Sequence, residues 1–202
     1  MARLISTMFL LLSFLIVTGW APAVNSLGLS DAERRALDQG DVIVLEILPP
    51  GRPAASAQGG TALSLVHASP EDVWRVLVDY PRHSGLYPGV TSAEVLQSEP
   101  GHALVRYVVG VGPWTFGFHV DNYPDSGKRR LEWNLATSRS NQLFRQSWGY
   151  WQIDAYRDGA MLTYAMAAKT VLPAFLTRGA EREGLVDTIK AVRDRAEHGV
   201  RL

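Results

Sequence analysis

The stretch from Thr61 to Val90, TALSLVHASPEDVWRVLVDYPRHSGLYPGV, restricts the folds open to this chain more than any other. Leu63, Leu65 and His67 alternate with Ala62, Ser64 and Val66 as in a strand. Ser69-Pro70-Glu71-Asp72 then supplies an N-cap, a proline at the first helical position and two acids in the first turn. Val73, Trp74, Val76, Leu77 and Tyr80 follow at helical spacing and make one apolar face, while Pro81, Gly85, Pro88 and Gly89 break the pattern twice. A strand therefore runs straight into a helix, a bend and a short second helix, and that helix needs an apolar surface to lie on.

What precedes this stretch divides in two. Arg3, an apolar run from Met8 to Val17 and the small-x-small site Ala21-Pro22-Ala23 read as a signal peptide over residues 1–23, cleaved after Ala23 or Ser26, with an uncleaved membrane anchor as the alternative. Export, to a bacterial periplasm, is the expectation. The chain contains no cysteine, which excludes disulfides, thiolate chemistry and a lipid carried on sulfur. Residues 24–60 hold a short helix opened by Ser30 and Glu33 at capping-box spacing, a strand from Asp41 to Leu48, and a Pro/Gly-rich mobile loop. The two strands on either side of that loop are expected to form an edge hairpin.

From Ala93 to Val171 the chain is almost all strand, and its turns set expected registers. Gly112-Pro113 as a two-residue turn puts Val109 opposite Phe116, Tyr107 opposite Phe118 and Arg106 opposite His119. Pro124 to Gly127 as the next turn puts Phe118 against Trp133, Val120 against Leu131 and His119 against Glu132. Asp158-Gly159 as a third pairs Ile153 with Tyr164 and Trp151 with Met166. The connection from Ser138 to Gln142 leaves its register free. With Thr137 opposite Leu143, the residues Arg145, Ser147 and Gly149 join Trp151 on the apolar side; a one-residue slip puts Phe144, Trp148 and Tyr150 there instead. A long amphipathic helix, Leu172 to His198, closes the chain with Leu172, Phe175, Leu185, Ile189 and Val192 on its apolar side.

This order, with VHASPEDVWRVLVDYPRHSGLYPGV inside it, resembles the START-like superfamily known as SRPBCC, and within it the polyketide cyclase/dehydrase and lipid-transport families. Ala68-Ser69-Pro70 leading to Val73-Trp74, Asp79-Tyr80 and the Pro88-Gly89-Val90 exit carry the likeness. It implies an α+β helix-grip fold over residues 61–198, a curved antiparallel sheet of about seven strands around the C-terminal helix. It also implies a hydrophobic tunnel between them, used for lipids, polyketides or other greasy molecules. Carriers, cyclases and partner-recruiting subunits share that scaffold, so it does not name one activity.

Two groups of residues are candidates for chemistry. Tyr87, Tyr107, Phe116, Phe118, Trp133, Trp151, Tyr164 and Phe175 are aromatic and are expected to wall the tunnel or fill it as core, and Arg145 would meet a carboxylate or phosphate headgroup or else snorkel to water. Arg106, His119 and Glu132 side by side would serve as acid/base groups if that face turned inward, and as a charge ladder if it faces solvent. No cofactor is implied. The five histidines make no HxxxH pair and sit in no acidic cluster, so no metal is expected; GxSxG and a complete dinucleotide fingerprint are also missing. Equal numbers of basic and acidic residues, 20 of each, argue against a nucleic-acid surface. The expected partner is a hydrophobic small molecule or lipid, with transient contact to a membrane; the oligomeric state stays open. An enzyme acting on an aromatic, polyketide-like substrate is one alternative, and an envelope interaction module whose tunnel is filled by its own side chains is another.

Overall fold

The computed structural model describes residues 28–51, 57–171 and 180–199. The expected export signal, the middle of the Pro/Gly-rich loop and the stretch from Leu172 to Gly179, Phe175 included, lie outside them. The elements run α1 (Asp31–Asp38), β1 (Ile43–Leu45), β2 (Gln58–Val66), α2 (Pro70–Val78) and a 3-10 turn (Tyr80–His83). Six strands follow, β3 (Val90–Glu99), β4 (His102–Val111), β5 (Trp114–Asp125), β6 (Arg130–Leu135), β7 (Phe144–Tyr156) and β8 (Gly159–Thr170), and then α3 (Ala180–His198). All eight strands form one sheet in the order β1-β2-β8-β7-β6-β5-β4-β3, so the first hairpin closes against the last strand. This is the helix-grip arrangement.

Local chemistry explains the two short helices. In α1 both halves of the capping box are made: the Ser30 hydroxyl accepts from Glu33 N at 3.3 Å and the Glu33 carboxylate accepts from Ser30 N at 2.7 Å. In α2 the Ser69 hydroxyl accepts from Asp72 N at 3.1 Å, and Pro70 stands where its missing N–H leaves no bond unmade.

The sheet is covered unevenly. On the convex side of β2 and β8, α1 buries Leu29 and Leu37 against Leu63 and Met161. On the concave side, α3 lies mainly over β2 and against α2, with Leu185, Ile189 and Val192 buried among Ala62, Val66, Leu162, Val73 and Leu77. The concave faces of β4 to β7 receive the turn region after α2 instead, and there the side chains are mostly rings.

The turns correct three expected registers by an even number of residues, so inward residues stay inward. The β4–β5 hairpin pairs as predicted, with Tyr107 opposite Phe118 and Arg106 opposite His119. The β5–β6 turn falls at Ser126 to Arg129, where Asp125 Oδ1 accepts from Lys128 N at 3.0 Å and Arg129 takes φ 48°. Pro124 therefore stays in β5, beyond the last residue that β4 pairs, where a missing N–H costs no ladder bond. Trp133 accordingly faces Asn122, not Phe118, and Glu132 faces Tyr123, not His119. The β7–β8 turn is Arg157-Asp158, so Trp151 faces Tyr164 and Ile153 faces Leu162. Gly159 belongs to β8: a Cβ there would lie 2.3 Å from Val66 O, so that glycine serves strand packing, not the turn.

Between β6 and β7 the pairing is two residues from the expected one, with Trp133 opposite Gly149 and Leu131 opposite Trp151, so the expected facing of Ser147 and Gly149 holds. A bulge between Phe144 and Gln146 then reverses the phase, turning Phe144 inward and leaving Arg145 exposed.

Candidate functional site

A cavity of about 190 Å³ lies between the concave face of β3–β8, the turn after α2 and Thr188 of α3. Six predicted residues line it: Tyr87, Tyr107, Phe118, Trp133, Trp151 and Tyr164. Phe116 shares the inward face but lies nearer the hairpin tip, partly exposed and outside the wall. Arg145 is also outside the wall, because the bulge turns it to solvent, the outward position that the sequence left open as its alternative. Phe175 is not among the described residues.

The lining rings touch in an unbroken path. Phe144 meets Phe118 edge-on at 5.0 Å, Phe118 stacks on Tyr107 at 5.6 Å, and Tyr107 stacks on His83 at 6.1 Å. His83 meets Tyr87 at 4.7 Å, Tyr87 stacks on Trp151 at 6.4 Å, and Trp151 on Tyr164 at 4.1 Å. Trp133 lies flat beside them because its partner is a glycine: a Cβ on Gly149 would come within 2.7 Å of the Trp133 ring and 2.2 Å of Ala165 O.

Sequence reasoning missed His83, Asn122 and Thr188, and had Phe144 inward only in the slipped register; the bulge lets Phe144 and Ser147 face inward together. In the sequence His83 is only one of five histidines without a metal-ligand partner, and nothing in its spacing shows that the bend folds back over β4. His83 is 1% exposed. Its Nε2–H donates to Val76 O at 3.2 Å, which requires the proton on Nε2, and its Nδ1 lies 2.9 Å from the Tyr107 hydroxyl. Burial lowers the His83 pKa to about 4, so the ring is neutral at pH 7 and Nδ1 accepts the Tyr107 proton. Tyr107 thereby keeps only its oxygen lone pairs to offer a guest.

Burial likewise raises the pKa of Tyr87, Tyr107 and Tyr164 above the ordinary phenol range, and that of Tyr80 to about 12. Asn122 donates both amide hydrogens to backbone, to Ala103 O and Val120 O at 3.3 Å each. Among the described lining residues there is no Asp, Glu, Lys or Arg. The cavity is thus uncharged, aromatic, and polar only through hydroxyls, an amide and a neutral imidazole.

Of the Arg106, His119 and Glu132 candidates, Arg106 and His119 stand opposite one another and Glu132 is kept apart. Arg106 is paired across the outer face with Glu94 at 3.9 Å, His119 Nδ1 lies 2.9 Å from Ser140 O, and Glu132 accepts from Arg130 at 2.7 Å. The connection 136–142 takes the pairing positions beside His119 through Ala136 N and Asn141, which keeps Glu132 away from it.

The model of the family "Polyketide cyclase / dehydrase and lipid transport" matches residues 66–193. No curated relative matches the chain's sequence. Among solved structures, the Zhui aromatase/cyclase from a Streptomyces species is 17% identical, with a TM-score of 0.64 over 72% of this chain and 96% of that one. A STAR-related lipid transfer protein from Xanthomonas axonopodis is 19% identical, with a TM-score of 0.63 over 77% and 92%. A START superfamily protein from Mycobacterium smegmatis is 16% identical, with a TM-score of 0.59 over 68% and 96%. At these identities the likeness is one of fold, and the family assignment rests on the sequence match, which spans most of the chain: this protein belongs to the polyketide cyclase/dehydrase and lipid transport family.

Proposed function

We propose that the chain binds and carries an uncharged hydrophobic small molecule, aromatic or lipid-like, in the ring-lined cavity. The single observation that supports this reading best is the continuous ring path from Phe144 to Tyr164 around a charge-free space of about 190 Å³. That volume exceeds the ~150 Å³ of an engineered cavity that admits benzene and is below the ~300 Å³ at which drug-sized sites begin. The guest is then a fused or substituted ring, or a short length of chain. Its apolar body is held by desolvation, and a hydroxyl or N–H on it donates to Tyr107, whose own proton is committed to His83.

The lipid-transfer neighbour favours the carrier role, and the aromatase/cyclase neighbour favours an aromatic guest. A cyclase would need an acid or base near neutrality facing the guest. The Tyr107–His83 pair is displaced from neutrality on both sides, a weak acid beside a weak base, and this supports carriage over catalysis. Export, to a periplasm, belongs to the same proposal and rests on the apolar run and small-residue site near the N-terminus.

Native mass spectrometry before and after delipidation, followed by thermal shift with 2-naphthol, naphthalene and 2-naphthoate, tests the reading. A bound species of a few hundred daltons, or stabilisation by the neutral probes and not by the carboxylate, is expected. A homogeneous apo mass with no shift from a broad neutral panel overturns it.

A further inference from the structure

Among the described residues Trp114 is the most exposed of the large apolar side chains, at 66%, and it stands at the tip of the β4–β5 hairpin beside Val111, which is 39% exposed. No Asp, Glu, Lys or Arg occurs from Tyr107 to Phe118. Neither side chain completes the core or the cavity wall. Strand directions place this tip at the same end of the sheet as the start of β3, the 136–143 connection, the start of β7 and the end of β8. Val171, also exposed, is there too, and so is the end of the cavity walled by Val90, Phe118 and Phe144.

The charge around the tip is one-sided. The 136–143 connection is bonded directly to β5, with Gly117 N donating to Gln142 Oε1 at 2.6 Å and His119 N to Asn141 Oδ1 at 2.8 Å. It carries exposed Arg139, and the bulge in β7 leaves Arg145 exposed at the same end of the sheet. Of the acids toward this end, Glu94 of β3 is paired with Arg106 at 3.9 Å, and Glu46 and Glu183 belong to the other edge of the sheet, where Leu185 of α3 sits on Gly60 of β2.

We infer that this tip docks on an anionic lipid bilayer, with Trp114 entering the headgroup region and Arg139 and Arg145 meeting lipid phosphates. The shape argues for that occupant. A protein partner needs about 800 Å² on each side, whereas among the described residues the tip offers one indole, about 150–250 Å², with Val111 and Val171 beside it. A tryptophan on a narrow uncharged wedge suits the polarity gradient of a membrane interface, and nearby arginines add attraction to anionic headgroups. Docked in this way, the protein would hold the Phe118–Phe144 end of its cavity toward the membrane.

The test reads the tip locally, so it works on the full chain whatever the N-terminal segment does. The chain has no cysteine, so Thr115→Cys and, at the opposite end, Ser126→Cys can each carry one environment-sensitive fluorophore. With phosphatidylcholine vesicles containing phosphatidylglycerol, the label at 115 is expected to shift to the blue and the label at 126 to stay unchanged. Trp114→Ser should cut the shift at least about threefold, and Arg139→Gln with Arg145→Gln, or added salt, should weaken it. Equal responses at both positions, no response at 115, or a response that Trp114→Ser leaves intact overturns the inference. So does a shift at 115 that grows with protein concentration without vesicles, which would assign the tip to a second copy of the chain. Binding of 2-naphthol is measured on the same Trp114→Ser variant: retained binding with lost immersion upholds both proposals, and failure of naphthol binding in the parent chain counts against the cavity reading alone.

Discussion

Two halves of one concave face are built differently. Over β2 and β8 the sheet offers Ala62, Val66 and Leu162, and α3 answers with Leu185, Ile189 and Val192, all 2% exposed or less. Over β4 to β7 it offers Tyr107, Phe118, Trp133 and Trp151, and among the described residues α3 lies mainly over β2 and reaches this part only through Thr188. Branched aliphatic side chains interdigitate with a helix and leave no space. Flat rings held by neighbouring strands touch at edges and faces and leave a gap that only a guest of similar shape can fill. The chain thus places stability on one half and binding on the other.

The sharpest way to break that division is to cut both halves and compare. Ile189→Ala removes a fully buried side chain from the packed half and is expected to cost about 3–5 kcal/mol. Phe144→Ala, which removes a half-buried ring already bordering empty space, should cost less than half as much and instead change which naphthalene derivatives stabilise the protein. Urea denaturation of both variants, with and without 2-naphthol, decides it. Equal costs, with ligand response altered in neither, would show the two halves to be one core.

The next effect in size belongs to the ring half alone. His83 titrates near its ordinary 6.5 when unfolded and at about 4 when folded, so between these values the unfolded state holds the extra proton. Its contribution to stability is present above pH 6.5 and is lost as pH falls toward 4. From pH 6.5 to 5 that amounts to up to about 2 kcal/mol, before most carboxylates begin to titrate. Denaturation midpoints at pH 7.5, 6.5 and 5 measure it, and His83→Gln should flatten the slope over that range. A slope unchanged in the variant would mean that His83 is not held neutral.

How much of this division was visible in the residues depends on what set each position. Alternation within a strand depends only on the pleat, so Tyr107, Phe118, Trp151 and Tyr164 could be read as inward, and an even register error left them so. Which ring meets which depends on where each turn closes. There Asp125 and Arg157 prevailed over the more obvious glycines. The bulge at Arg145 has no local signature, since the residues around it alternate as in any strand, and it moved a charge out of the cavity and a phenyl ring in. His83 required knowing that the bend folds back over β4, a tertiary fact that spacing does not carry.

A smaller change tests the polar handle on the ring wall. Tyr107→Phe removes the oxygen that faces the guest while keeping the ring that stacks on Phe118 and His83. The loss of one hydrogen bond, about 1 kcal/mol, should weaken 2-naphthol roughly fivefold and leave naphthalene unaffected. Titration followed by tryptophan fluorescence separates the two. An equal loss for both probes would show that the variant damaged the cavity and not the hydrogen bond.

The smallest expected effect has the opposite sign. Tyr80 is 7% exposed and its ring meets His83 edge-on at 5.5 Å, but its hydroxyl is buried with no hydrogen-bond partner among the described residues. An unpaired buried hydroxyl costs about 1–3 kcal/mol relative to one that is bonded, and part of this should be recovered when the group is removed and the ring kept. Tyr80→Phe is therefore expected to raise the melting temperature slightly, by the equivalent of about 0.5–1 kcal/mol. Among the described residues the packed half offers no substitution of this kind, because its buried polar side chain, Ser64, accepts from Arg193 at 3.0 Å and truncating its apolar side chains opens a void. A gain in stability accompanied by unchanged 2-naphthol affinity would make Tyr80 structural slack behind the wall. A loss of stability would mean that its hydroxyl is satisfied in solution, and that the boundary between packing and binding lies one residue deeper than the cavity lining indicates.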